Sequence, residues 1–276
     1  MICWGAFSMD ELELFERLVQ ALRDGLAVAL CMVIEKVGFT PRGIGSKMLV
    51  LEDGRCYGTI GGGSLERIVV EEALKAIKEN RSRVVKLSLR GEHDLREDYL
   101  KTGMMCGGDI SVFIDVIGVP RLIIVGAGKV GHAVARLADL LGFQIKVIDV
   151  SSEAANRERF PMAEEIVVDE NLSKALNKVK LNSRDYVLIL TGDPELDYDA
   201  LRALCKREFK YLGLLGSPAK RDYLLEKLEK EEGVKLGDKP YFHSPIGLRI
   251  NAVTPEEIAV SIMAEIIKEM RSHGSK

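Results

Sequence analysis

Gly126-Ala-Gly128-Lys-Val-Gly131 follows directly on the apolar run Arg121-Leu-Ile-Ile-Val125, and a second apolar run closes on Asp149. A G-x-G-x-x-G turn between a strand and a helix aims main-chain N–H groups at an anion. Gly126 allows the tight turn, Gly128 the approach of a pyrophosphate, and Gly131 the packing of helix on strand. Asp149 stands where an acid binds a ribose. No Arg follows it directly, the nearest being Arg157 and Arg159, so the spacing favours an unphosphorylated ribose. The competing reading of the same glycines is a turn without a ligand.

A second glycine cluster, Gly58-Thr-Ile-Gly61-Gly62-Gly63-Ser-Leu-Glu66, also lies between a strand and a helix. Consecutive small residues expose N–H groups as an anion nest, and Glu66, one turn in, is placed to orient a water or a donor. The alternative is a bulged strand end. Thr40-Pro-Arg42-Gly-Ile-Gly45-Ser46-Lys47 offers two cations and two hydroxyls. Arg42 and Lys47 would neutralise a phosphate. Taken singly this loop is a solvated hairpin end, but the hairpin leads it toward the triple glycine. Gly103-Met-Met-Cys106-Gly107-Gly108 puts a thiol in a glycine-flanked turn, expected to be exposed, where a thiolate suits a soft metal or a sulfur-transfer step. Cys31 and Cys205, inside apolar segments, read as core. The histidines His93, His132, His243 and His273 are scattered, and neither zinc spacing, a G-x-S-x-G elbow nor a Walker A sequence occurs.

The elements that must position these residues follow from periodicity. Ser8-Met-Asp-Glu11 reads as a capping box opening a helix through Leu12, Phe15, Leu18, Val19 and Leu22, with Gly25 ending it. Leu26 to Glu35 reads as a strand buried on both faces. Segments 46–51 and 55–60 form a hairpin about Asp53-Gly54. A helix over 64–78, a strand over 83–89, a polar loop over 91–102 and a strand over 110–117 complete the first half. Gly118-Val-Pro120 divides the chain into domains 1–118 and 119–276. Strands then fall at 121–125, 144–149, 165–168, 186–190 and 210–214, with helices between them and at 217–232. Thr254-Pro-Glu-Glu257 caps a terminal helix whose apolar stripe is Ala259, Ile262, Met263, Ile266, Ile267 and Met270. The class is α/β: a small N-terminal α+β domain followed by a Rossmann-like doubly wound parallel sheet domain.

Composition narrows the function. The 276 residues are 47% hydrophobic, so a buried core is expected. Lys and Arg number 39 against 42 Asp and Glu, which argues against bulk nucleic-acid binding. No apolar run is long enough for a membrane span, and the opening segment lacks a basic n-region, so no secretory signal is expected. Five cysteines without C-x-x-C spacing favour reduced thiols and a cytoplasmic location.

These segments together resemble the XdhC/CoxI family. The resemblance is carried by Gly38-Phe-Thr-Pro-Arg42, Lys47-Met-Leu-Val50, the Gly58–Glu66 segment, Met105-Cys-Gly-Gly108, Val125–Gly131, Leu196-Asp-Tyr-Asp-Ala-Leu201, Tyr211–Ser217 and Pro245-Ile-Gly-Leu248 with the capped terminal helix. It implies an accessory protein that matures xanthine dehydrogenase or carbon monoxide dehydrogenase-type molybdenum enzymes. Such a protein binds molybdenum cofactor, holds it for sulfuration and delivers it, with an apo molybdenum hydroxylase and a cofactor sulfurase as partners. In that setting Cys106 sits near the metal. The sequence departs from the family pattern at Lys129, Thr191-Gly192-Asp193, Pro218, Arg249 and Asn251. The rival reading is an NAD-dependent oxidoreductase, with NAD or another nucleotide on the G-x-G-x-x-G turn, although no proton donor can be named for it. A scaffold is the third, with the terminal helix open to homodimer formation.

Overall fold

Helix α1 (Glu11–Arg23) begins where Asp10 accepts the N–H of Glu13 at 2.8 Å, so Asp10 is its N-cap. The capping box expected at Ser8 is therefore displaced, Ser8 itself lying outside the described residues. The computed structural model describes residues 9–91 and 97–272. Two units divide the chain, the first ending at Val119 and the second spanning Pro120–Ser272.

In the first unit the strands are β1 (Val28–Val37), β2 (Lys47–Leu51), β3 (Cys56–Gly58), β4 (Arg83–Arg90), β5 (Leu100–Lys101) and β6 (Met105–Ile117), with α2 (Gly63–Glu79) between β3 and β4. Their order is β3-β2-β1-β6-β4-β5. All neighbours run antiparallel except β4 and β5. Strand alternation sorts the core: Val28, Leu49 and Leu51 meet Leu14, Leu18 and Ala21 of α1, whereas Ala29, Cys31, Met48 and Val50 meet Leu65, Val69 and Ala73 of α2. The expected burial of β1 on both faces holds for Val28 and Ala29; on to Val33 one face stays buried while Leu30 and Met32 on the other are half-buried. It ends at Ile34, beyond which the strand is exposed. Two further expectations are corrected. The polar loop contains the short strand β5, and β6 starts at Met105 rather than Ile110, so Cys106 lies on a strand, not in a turn.

The second unit holds β7 (Arg121–Val125), α3 (Lys129–Leu140), β8 (Gln144–Asp149), β9 (Glu165–Val168), α4 (Leu172–Lys178), β10 (Tyr186–Ile189), α5 (Pro194–Leu204), β11 (Tyr211–Leu214), α6 (Pro218–Glu232), β12 (Phe242–His243) and α7 (Pro255–Ser272). The sheet is parallel throughout, in the order β12-β11-β10-β7-β8-β9, the doubly wound dinucleotide-fold arrangement. Leu122, Ile124 and Leu188 face α3 and α7, while Ile123, Val125 and Val187 face α4, α5 and α6. The two-residue strand β12 is too short to leave a pattern in the sequence. The capping box of α7 is present: Glu257 N–H donates to Thr254 Oγ1 at 3.2 Å, and the Glu257 carboxylate takes the N–H groups of Val253 and Thr254 at 2.7 and 3.0 Å.

Candidate functional site

In the first unit the Gly38–Pro41 stretch is clamped between two glycine segments. A Cβ on Gly61 would lie 2.6 Å from Pro41 Cγ, one on Gly38 would lie 3.0 Å from the Gly107 carbonyl oxygen, and one on Gly108 would lie 2.2 Å from that of Phe39. The Thr40–Lys47 loop, the triple glycine and the Cys106 segment thus converge, as the motif spacing implied for the first two. Thr40 Oγ1 donates to the Arg42 carbonyl at 2.8 Å and folds the loop back on itself. The Arg42 side chain is exposed and has no hydrogen-bond or ion-pair partner among the described residues. Lys47 is already partnered: its ammonium is paired with Glu11 of α1 and donates to the Gly45 carbonyl at 3.1 Å.

Glu66 departs from its expected role. One carboxylate oxygen accepts the Thr59 hydroxyl at 2.6 Å, Ile60 N–H at 3.0 Å and Gly62 N–H at 2.9 Å, with the residue only 8% exposed. The anion in this nest is therefore the protein's own. Three donors on one oxygen are charge-assisted bonds, which hold the turn stiff before any ligand arrives. The first-turn amides of α2 lie beyond this brace, and α2 has no side-chain cap. Gly62 takes φ 79° and ψ 177°, a region essentially confined to glycine, and a Cβ on either Gly62 or Gly63 would meet no atom within 4 Å.

Cys106 is half-buried, packed with Met104 against the α2 side of the core, while Met105 beside it is 90% exposed. It is thus less open than its flanking glycines implied. Burial pushes the Cys31 thiol far above its ordinary range and raises that of Cys205 as well, in keeping with their reading as core. Cys31, Cys106 and Cys205 are free thiols. Among the described residues no three His, Cys, Asp or Glu side chains gather as a metal cage.

In the second unit the ends of β7 and β10 meet at the switch point. A Cβ on Gly126, whose φ is 111°, would lie 2.6 Å from both Leu190 C and Thr191 N, and one on Gly131 would lie 2.1 Å from the Gly126 carbonyl oxygen. Both glycines are required by packing alone. Gly128 caps α3 without a side chain, has open space around it, and is followed by a first turn free of acids. Asp149 binds backbone here: Oδ2 accepts Ala127 N–H at 2.6 Å and Oδ1 accepts Ser151 N–H at 2.9 Å. Arg159 donates to the Ala127 carbonyl at 2.9 Å, so an arginine distant from the turn in sequence touches it in space. Near the same strand ends, Thr191 donates to the buried Asp197, which is ion-paired with Lys220. The sequence held no signal for Pro41 or Arg159 beyond their nearness in the chain to marked residues.

Comparison with known proteins agrees with this geometry. Residues 122–266 match the XdhC Rossmann domain, and residues 21–88 match the XdhC and CoxI family. The uncharacterised protein YqeB of Escherichia coli is 38% identical over 243 residues, covering 87% of this chain, which spans only 43% of YqeB. The molybdenum cofactor insertion chaperone PaoD of the same organism is 24% identical over 293 aligned positions, covering 90% of this chain and 85% of PaoD. A solved structure described as a xanthine dehydrogenase from Bacillus halodurans aligns with a TM-score of 0.50 at 27% identity, covering 96% of both chains. Two matched segments, one on each side of Pro120, and the YqeB likeness along most of the sequence lead to one conclusion: the chain belongs to the XdhC and CoxI family.

Proposed function

We propose that the protein is a maturation factor for a molybdenum hydroxylase of the xanthine dehydrogenase or carbon monoxide dehydrogenase type, carrying molybdenum cofactor as cargo through sulfuration to the apo-enzyme. The observation that carries this reading is the convergence of the Gly38–Pro41 stretch, the uncapped start of α2 and the Cys106 segment. The insertion-chaperone role named for PaoD supports it.

The cargo has a terminal phosphate and a dithiolene-bound metal. The first-turn amides of α2 and the uncommitted Arg42 guanidinium suit the phosphate. A few charge-assisted bonds at roughly 1.5–3 kcal/mol each are enough for a transient grip. Cys106 supplies a single soft ligand toward the metal, which favours release over storage. Glu66 keeps the turn in shape and does not touch the cargo. A cofactor sulfurase and an apo molybdenum hydroxylase are the partners this role requires. The second unit's turn, with Asp149 and Arg159 fixed on either side of Ala127, would take NAD or another nucleotide as a separate ligand.

The test is transfer. Protein loaded with molybdenum cofactor is mixed with apo molybdenum hydroxylase, and activity is followed against free cofactor at equal concentration. Faster or fuller activation by the loaded protein is expected. Activation no better than with free cofactor, or none, contradicts the role. Calorimetric titration with NAD addresses the rival oxidoreductase reading, which gains only if binding is accompanied by turnover.

A further inference from the structure

Helix α7 carries two apolar stripes. Ala259, Ile262, Met263 and Ile266 are buried in the core it shares with α3. The second stripe faces solvent: Val260 is 49% and Ile267 39% exposed, and Ala264 between them is half-buried. Glu256 stands at one end of this stripe and Arg271 at the other. Both are exposed, and neither has an ion-pair partner among the described residues. At 3.6 residues per turn, positions 256, 260, 264, 267 and 271 fall within about 80° of one another on the helix. Beside the stripe, α3 and α7 enclose a groove of about 460 Å³ lined by Leu137, Leu140 and Val260, with Leu140 82% exposed. Arg136, Asp139 and Glu256 on its rim are exposed and likewise lack ion-pair partners among the described residues.

The stripe is its own complement. Turned end for end about a twofold axis beside Ala264, Glu256 comes opposite Arg271 and Val260 opposite Ile267. The same exchange recurs on the far side of the axis, as an isologous contact demands. The small Ala264 at the centre lets the two helices close. A scattered exposed aliphatic needs no explanation, but an ordered stripe ending in charges of opposite sign does. We propose that a second copy of this chain docks here, α7 against α7 in antiparallel, with the exposed Leu140 of each α3 covering the flank. This goes beyond the cargo role and does not depend on it.

Sedimentation equilibrium of the 276-residue chain decides. A concentration-dependent dimer is expected. Val260→Glu with Ile267→Glu should leave monomers with an unchanged circular dichroism spectrum. Glu256→Arg alone, which sets like charges opposite each other twice, should weaken the dimer at least about tenfold, and adding Arg271→Glu should restore it. Ala264→Cys should form a covalent dimer under mild oxidation. A monomeric wild type, a dimer indifferent to Val260→Glu with Ile267→Glu, or failure of the charge exchange to rescue would each overturn the proposal. A monomer that instead shields this stripe with a different protein would do the same.

Discussion

The two glycine turns look alike in sequence and differ in what their glycines are for. Each leads from a strand into a helix without a side-chain N-cap, whereas α1, α4, α5, α6 and α7 are capped by Asp10, Asn171, Asp193, Ser217 and Thr254. Each is also braced by a carboxylate on its amides, Glu66 from within the following helix and Asp149 from the next strand. At the second turn, however, Gly126 and Gly131 are fixed by backbone that leaves no room for a Cβ. At the first, Gly62 and Gly63 face open space. Packing therefore accounts for Gly126 and Gly131 in the one turn and for Gly61 in the other, whereas Gly62 and Gly63 are glycine for their positive φ (79° and 62°) and Gly128 lies in open space.

The largest test of this contrast is Gly131→Ala. Its methyl group meets the Gly126 carbonyl oxygen, so a loss of about 3 kcal/mol is expected in urea unfolding of the second unit, near the upper end for overpacking. A neutral result would mean the turn can yield, and the packing account of the motif would fail. Glu66→Ala comes next. It strands the buried N–H of Ile60 and the partly buried N–H of Gly62, and a loss of roughly 2 kcal/mol in the first unit is expected, with Glu66→Gln milder because one acceptor remains. Asp149→Ala should cost less, about 1 kcal/mol, since two donors rather than three lose their acceptor, the N–H of the buried Ala127 and that of the half-buried Ser151. Equal losses for Glu66→Ala and Asp149→Ala would erase the distinction between the two braces. Smallest is Gly128→Asp. The position already has the extended backbone of an N-cap (φ −68°, ψ −166°), so the new carboxylate should cap α3, raise stability by a few tenths of a kcal/mol, roughly, and block an anion there. A clear loss of stability would show that the space around Gly128 is not free.

Much of the architecture was legible because periodicity reports burial. The alternation of apolar strand and helix after Pro120 gave β7 to β11 nearly to the residue, and Thr254-Pro-Glu-Glu257 marked the start of α7 through a cap that depends only on local chain. What escaped depends on contacts between distant segments. Lys47 is paired with Glu11, far off in sequence. Glu66 and Asp149 carry the right charge for ligand chemistry, but Glu66 Oε1 and both Asp149 oxygens accept main-chain amides, and no spacing rule foretells that use. Arg159 reaches Ala127 only because the segment after β8 folds back. Cys106 was marked by flanking glycines, of which Gly108 serves close passage of the Val37 and Phe39 backbone and Gly107 a positive φ of 81°, while the thiol itself is half-buried.

The central claim is that the cargo rests on the first unit's turn, and retention of molybdenum cofactor by variants of the whole protein tests it most directly. The protein and cofactor are mixed, unbound cofactor is removed by rapid filtration, and bound molybdenum is measured. Arg42→Ala and Cys106→Ala should each lower retention while leaving the unfolding midpoint within the range of an ordinary surface change, and Gly128→Asp should retain cofactor like the wild type. Loss of retention in Gly128→Asp, with Arg42→Ala and Cys106→Ala unaffected, would contradict the account and move the cargo to the second unit.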